Sequence, residues 1–370
     1  MERELERTKE REPAMYDRVL ESSAQLLRDE KKAASAMPHV IKYDSIPWTQ
    51  GAQAFHKHLI RGPALDMPYN TGIRSMVALE QILAPAGKSG RHRHYFEAMF
   101  YILEGEGYEV HDGKRYDWRQ GDIACVPTYT IHQHFNTDPV KNARLFYIIP
   151  GIFRFMGISE TEQIELHINY RVPDGATPIY GDGHRFTGYR TGDGKEFFFG
   201  LDEPLQKLMD DMKKVSEEVG EAKDDYAQAM KLLAEENEWR GKVPRVVRPP
   251  ELAWQNTRMG KIKYVVHPRL GSALRTIEAY FQELPPGGRS GKHMHVGEEL
   301  HLILEGKGHD VHDGARWDWE KEDMVAIPIN TVHQHFNDDP KKPALFLSVT
   351  SRLFNFVGHG GVQHLEDAPR

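Results

Sequence analysis

His92-Arg93-His94 and His132-Gln133-His134-Phe135-Asn136 return 201 residues later as His293-Met294-His295 and His333-Gln334-His335-Phe336-Asn337. Side chains alternate faces along a strand with a period of two, so each His-x-His pair places both imidazoles on one face. Two ligands from one strand and a third from a later strand can then close on one metal ion, for which imidazole is a common donor. The chain holds 20 histidines, so isolated pairs are expected by chance. The same set twice, in matching surroundings, is not, and the pattern reads as metal-binding.

Around these pairs lie two repeat units, from about Thr71 to Gly157 and from about Lys261 to Gly358. Both are dense in short β-type runs broken by Gly, Pro and Asp-Gly. Glu109 to Tyr116 and Asp310 to Trp317 each carry His-Asp-Gly between strand-like flanks, a hairpin signature. All-β units of this size become sandwiches or barrels. The expected domains are 1–70, a helical N-terminal arm and lead-in; 71–160, a first β domain; 161–250, a connector; and 251–370, a second β domain. In the arm, Tyr16, Leu20 and Leu26 form a sparse apolar face. In the connector, Leu205, Leu208, Met212, Val215, Val219, Ala222, Tyr226, Ala229 and Leu233 step by three and four, which predicts a helix or, broken at Gly220, a helical hairpin packed on a barrel or a subunit.

A length of 370 residues suits two domains. A net charge of −7 gives no electrostatic reason to expect nucleic acid or an anionic membrane as partner. The single cysteine, Cys125, excludes an internal disulfide and any multi-thiolate metal site, and its strand-like surroundings predict a packed thiol. The N-terminus lacks the apolar core of a signal peptide, and no run reaches membrane-spanning length. The cytoplasm is the expected location, a small molecule the expected ligand, and a homo-oligomer, dimer or tetramer, the expected assembly.

In the second unit, Gly287, His293, His295, Glu299 and Gly306 are followed by Pro328, His333 and Asn337. Glu299 stands four residues after His295, on the same strand face. This spacing closely resembles the two consensus motifs of the cupin superfamily and covers about half of each unit. The resemblance implies two jelly-roll β-barrels, a bicupin, with an all-β core, the helical arm and a helical interdomain connector. It assigns His293, His295, Glu299 and His333 as metal ligands. In the first unit Ala98 stands where Glu299 stands, and Glu97 falls one position early. A one-residue displacement turns a side chain to the opposite face, leaving His92, His94 and His132; a bulge that restored Glu97 is the alternative.

A three-histidine site in the first half of a bicupin resembles the gentisate 1,2-dioxygenase family and its salicylate and 1-hydroxy-2-naphthoate relatives. His92-Arg93-His94, Ala98, the Glu104-Gly105-Glu106-Gly107 run, Pro127 and His132 to Asn136 carry the likeness. So does Gln81, eleven residues before His92, matching a family glutamine near the substrate. The resemblance implies a small aromatic substrate, O2 and Fe(II), although such donors also accept manganese, nickel, zinc or copper. It places His134 beside the metal as a catalytic group without a coordination bond; Glu106 and Tyr108 are further candidates for proton transfer. Two departures concern the substrate: Phe100 occupies the place of a family arginine that meets a carboxylate, and Leu145-Phe146-Tyr147-Ile148 replaces an acidic segment. Either the substrate lacks a carboxylate at that place or Arg74, Arg91 or Arg93 supplies the cation, and Gln81, Phe100 and Arg93 are the expected substrate-binding residues.

A ring-cleaving dioxygenase is the leading expectation. A non-oxidative metal enzyme (decarboxylase, lyase or isomerase) is the alternative, because the second site carries the three-histidine-plus-glutamate set of oxalate-decarboxylase-type bicupins. A non-catalytic binding bicupin is the third reading. Trp118 and Trp319 are expected to pack the barrels, Asp122 and Asp323 to sit in turns, and His111 and His312, beside Asp-Gly turns, to be exposed. His359 and His364 carry no functional assignment.

Overall fold

The computed structural model describes residues 15–61, 69–154, 161–167, 169–180, 186–199, 203–215, 224–358 and 360–369. Strands such as Ala143–Pro150 and Ala344–Ser351 are apolar at consecutive positions, which suits a sheet buried on both faces. Both lie within seven-stranded antiparallel sheets. Each of those sheets faces a five-stranded sheet, making two barrels from one repeated plan. Inward positions fill the barrels, with Leu79, Phe100, Ile102, Trp118 and Leu145 in the first and Ile303, Trp319, Ile327 and Phe346 in the second. Outward positions of the seven-stranded sheets pack barrel against barrel: Met76, Met99, Phe146 and Ile148 share one cluster with Ile277, Leu300, Leu347 and Val349. Cys125 is buried in that same cluster, and burial pushes its thiol up to about 12, as a packed thiol requires.

The five-stranded sheet of the first barrel runs Thr161–Gln163, His92–His94, His132–Asn136, Glu106–His111, Lys114–Arg119. Its counterpart runs Val362–Glu366, Lys292–His295, His333–Asn337, Lys307–His312, Ala315–Glu320. Both hairpins close on an Asp-Gly pair with positive φ, at Asp112-Gly113 and Asp313-Gly314. That is the turn whose twist matches the flanking strands.

The sheets do not respect the expected boundaries at residues 70, 160 and 250. Thr49–Gln50 and Phe55–Ile60 belong to the first barrel's larger sheet, and Thr161–Gln163 to its smaller one. Val40–Ile41 precedes the first barrel yet pairs with Met324–Ile327 of the second, and Val246–Val247 pairs with Ile123–Val126 of the first. Each exchange covers an open strand edge.

The connector is more than a helix. A three-stranded sheet of Thr177–Tyr180, Phe186–Arg190 and Glu196–Phe198 comes first, then helices Glu203–Val215 and Asp225–Lys242. Gly220 lies outside the described residues. Of the expected apolar stripe, Leu208, Tyr226 and Ala229 are exposed, whereas Met209, off the stripe, is fully buried. The arm forms a helix, Met15–Ser35, with Val19, Leu20, Leu26 and Leu27 exposed. Among the described residues no helix is long and apolar enough to cross a membrane.

Gly107 and Gly308 each lie on a strand flanked by two neighbours of the same five-stranded sheet. A Cβ at Gly107 would fall onto the Phe135 carbonyl oxygen and within 2.7 Å of the Trp118 ring, and one at Gly308 would meet Phe336 and Trp319 in the same way. Neither a strand carbonyl nor a buried indole can move aside. Gly107→Ala and Gly308→Ala are each expected to cost about 3 kcal/mol of stability, read as a shift of the urea unfolding midpoint; loss below about 1 kcal/mol in both would contradict this packing.

Candidate metal centres and the cavity beside the first

In the first barrel His92 and His94 point to one side of their strand and His132 stands opposite His92 on the next. Their side-chain nitrogens form one buried cluster, all within 4.8 Å of one another. Each ring is oriented from behind. Nδ1 meets a main-chain carbonyl: Gly90 at 3.0 Å for His92, Phe96 at 2.5 Å for His94 and Thr130 at 2.9 Å for His132. That contact fixes the tautomer and leaves Nε2 for a metal, the usual arrangement behind a ligating histidine. Burial, followed by the neighbouring imidazoles, holds His92 and His132 well below the ordinary histidine range, and burial brings His94 down to about 4. All three are neutral at physiological pH, the state that ligates. The Nε2 of His132 is buried without a hydrogen-bond partner, which fits a donor reserved for an ion.

The second barrel repeats the construction, with His293 on Gly291, His295 on Gly297 and His333 on Thr331. Glu299 completes this cluster, its Oε2 being 2.9 Å from His295 Nε2 and 3.7 Å from His333 Nε2. Burial opposes ionisation of Glu299, but His301, His295 and His293 hold its carboxyl well below the usual range. Tyr280 donates its hydroxyl to Glu299 Oε1 at 2.5 Å. The Nε2 atoms of His293 and His333 are buried and unpartnered. Three imidazoles, with or without one carboxylate, fit a divalent first-row metal with open coordination positions.

Glu97 is turned away from the first site, but not by strand parity: it lies in the bend between His92–His94 and Ala98–Glu104, strands of different sheets, and Glu299 likewise begins a strand in the other sheet from His295. The Glu97 carboxylate accepts the backbone N–H groups of Arg275 and Thr276 and the Thr276 hydroxyl. No bulge returns it to the metal side.

A cavity of about 290 Å3 opens beside the first cluster. His92 and His94 line it together with Val77, Leu79, Phe96, Ala98, Phe100, Tyr147 and Ile149, and its polar side includes His56, His58, Arg61, Thr161 and Gln163. Phe100 stacks on Tyr147 with centroids 5.0 Å apart and lies 4.4 Å from the ring of His134. His134 and Gln81 are both buried, but neither lines the cavity. His134 Nδ1 lies 3.2 Å from Glu109, and His111 meets the other oxygen of that carboxylate at the same distance. His111 and His312 are therefore buried, not exposed. Facing inward two residues after Glu109 and Asp310, each shares a carboxylate with a barrel histidine; Asp310 joins His312 to His335 at 3.1 and 2.7 Å.

Arg93, between the two ligands, occupies the opposite strand face and pairs with Glu162 and Asp210 at 2.5 and 2.6 Å, so it does not reach the cavity. Arg91 pairs with Glu165, and Arg74 stacks on Tyr69. The cation among the described lining residues is Arg61, whose Nε is buried without a partner. Glu106 is exposed, and Tyr108 stacks on Phe135 beneath Arg115 on the outer face. His364 pairs with His293 in the sheet, while His359 lies outside the described residues.

His56, His58 and Arg61 were not singled out from sequence. His56-Lys57-His58 is itself a period-two histidine pair, but its counterparts are Ile262 and Tyr264 and the spacing has changed. Lys57 faces Glu80 as Lys263 faces Phe281, an offset of 206 rather than 201. The pair therefore has no histidine counterpart in the second half.

The full chain is expected to bind two metal ions. His92→Ala should reduce that to one, whereas His134→Ala should leave two, measured by elemental analysis of protein purified without oxygen. Loss of an ion in the His134 variant would move that residue into the ligand set.

A cupin-domain model matches residues 79–149 and 280–350. A 5-aminosalicylate 1,2-dioxygenase of Comamonas sp is 31% identical over 98 residues, 26% of this chain and 26% of that protein. An uncharacterized protein of Methanocaldococcus jannaschii is 33% identical over 63 residues, 17% of this chain and 50% of that one. The chain thus spans about a quarter and a half of the lengths of these curated relatives. Among solved structures, salicylate 1,2-dioxygenase from Pseudoaminobacter salicylatoxidans superposes with a TM-score of 0.55 at 17% identity, covering 96% of each chain. Oxalate decarboxylase from Bacillus subtilis gives 0.56 at 14% identity over 89% of this chain and 79% of that one. At such identities the structural likenesses speak to the fold alone. With a cupin domain matched in each barrel, the chain is a bicupin, and one that resembles the gentisate 1,2-dioxygenase family.

Proposed function

We propose that this bicupin is a metal-dependent dioxygenase that opens the ring of a hydroxylated aromatic acid, and that the first barrel carries out the reaction. The carrying observation is the cavity beside His92, His94 and His132, walled by apolar and aromatic side chains and holding a guanidinium. An Fe(II) ion held by the three imidazoles would supply Lewis acidity for a phenolate and the redox chemistry for dioxygen. The chain's own residues do the rest. Phe100 and Tyr147 offer an aromatic wall; Val77, Leu79 and Ile149 exclude water; and Arg61 meets the substrate carboxylate. His134, oriented by Glu109, is placed behind Phe100 to hold or move a proton. The likeness to a 5-aminosalicylate dioxygenase supports the substrate class.

The second barrel presents the opposite lining. Glu278, Tyr280, Glu299, His301, Ser348 and Thr350 stand where the first has Val77, Leu79, Ala98, Phe100, Tyr147 and Ile149. This polar set, with a carboxylate among the metal donors, favours a second reading in which the chain is a non-oxidative metal enzyme of the decarboxylase, lyase or isomerase kind.

Oxygen uptake separates the two. Iron-loaded protein is expected to consume oxygen with salicylate, 5-aminosalicylate or gentisate and to bleach the aromatic absorption. At saturating metal, His92→Ala should abolish this and His293→Ala retain it; the reverse pattern would assign the reaction to the second barrel. No uptake with any phenolic acid would favour the non-oxidative reading. A charge-assisted contact contributes about 1.5 to 3 kcal/mol. Arg61→Leu is therefore expected to raise KM about ten- to hundredfold for acids, and an unchanged KM would remove Arg61 from the site.

A further inference from the structure

Glu97 and Glu298 occupy equivalent places in the two halves, immediately before Ala98 and Glu299. Both are buried, and both carboxylates leave their own barrel. Glu298 accepts the backbone N–H of Arg74 and of Ser75 and the Ser75 hydroxyl, each at 2.6 Å. Glu97 accepts the equivalent groups of Arg275 and Thr276 at 2.7 to 2.9 Å. The two halves thus grip one another through a reciprocal pair of charge-assisted clasps, and each clasp ends on the residue where a cavity-side strand begins.

Those strands connect the centres. Beyond Ser75 runs Met76–Leu83, whose Val77 and Leu79 wall the cavity of the first centre. Beyond Thr276 runs Ile277–Leu284, whose Tyr280 donates to the second-centre ligand Glu299. At the other end, Glu97 follows Phe96, whose carbonyl holds His94, and Glu298 follows Gly297, whose carbonyl holds His295. A path therefore runs from His94 through Phe96, Glu97, Thr276 and Tyr280 to Glu299, and back through Glu298 and Ser75 to the first cavity.

We propose that Glu97 and Glu298 are positioning residues that couple the two metal centres, so that an ion in either raises the affinity of the other. This rests on the reading that both centres hold a metal. Filling the second centre fixes His295 and Glu299 and hence the turn that carries Glu298. The first barrel's strand entry is then already ordered when its own ion arrives, and the ordering cost falls on one binding event rather than two. Linkage makes the effect reciprocal.

The test is metal binding to the full chain, stripped of metal and titrated with Co(II) against a chromophoric chelator. Absorption bands distinguish a three-imidazole site from one that adds a carboxylate. His293→Ala is expected to weaken the first site at least about fivefold, and His92→Ala to weaken the second by the same factor. In a Glu298→Gln background, His293→Ala should change first-site affinity by less than about twofold. Ser75→Ala, which removes one bond of the same clasp, serves in its place if the glutamine variant does not fold. Equal first-site affinity with and without the second ion would overturn the proposal, as would a loss that persists undiminished in the clasp variants. A wild-type chain that binds fewer than two ions overturns the two-metal reading itself, whereas two ions bound independently overturn only the coupling.

Discussion

Each candidate ligand imidazole is held by a contact from Nδ1 to a main-chain carbonyl two residues before or after it. That distance is the period of a strand, and strand geometry therefore aims the rings. Six carbonyls set six tautomers without recruiting any side chain, which leaves the surrounding positions free to vary. At the first centre burial does the rest by keeping the rings neutral, because a charged imidazole there would lose its hydration with no carboxylate among the three ligands to replace it. In the second barrel an anion is present. Glu299 shifts the balance enough to raise His295 above its ordinary value despite burial, so a proton and a metal compete more evenly for that donor.

Alternation also explains how much of the site could be read from sequence. The histidine sets follow from counting by two along extended runs, and the structure brings them together in each barrel; Trp118 and Trp319 pack the barrels as expected, whereas Glu97 turns outward from the bend between two sheets. Arg93 shows the same rule applied too loosely: a residue between two inward ligands must face outward, where Glu162 and Asp210 neutralise it. Nearness to an Asp-Gly turn suggests exposure for His111 and His312, but their parity with the buried Glu109 and Asp310 turns them inward. Nothing local marks the strand exchange of Val40–Ile41 and Val246–Val247, which depends on pairing partners more than a hundred residues away. Arg61 escaped for a related reason, since it joins the cavity from a segment whose spacing does not follow the repeat.

The duplication separates what the fold needs from what the chemistry needs. On the faces that press barrel to barrel, Met76, Ala78, Met99, Phe146 and Ile148 become Ile277, Ala279, Leu300, Leu347 and Val349, apolar for apolar. Inward positions far from the metal also keep their character, as Ile102 and Leu145 become Ile303 and Phe346. At the metal end the inward positions change class altogether, from Val77, Leu79, Phe100 and Tyr147 to Glu278, Tyr280, His301 and Ser348. A seven-stranded sheet buried on both faces cannot accept unpaired polar groups on its interface side; Glu80, which becomes Phe281, is paired there with Arg144, and much of the remaining divergence falls at the ends of strands facing a cavity. There a polar side chain can find a partner, as Tyr280 finds Glu299 and His301 finds Ser348. Two barrels with one scaffold and one set of histidines thus enclose an apolar site and a polar one, and the difference between them arises at positions where the scaffold imposes the least.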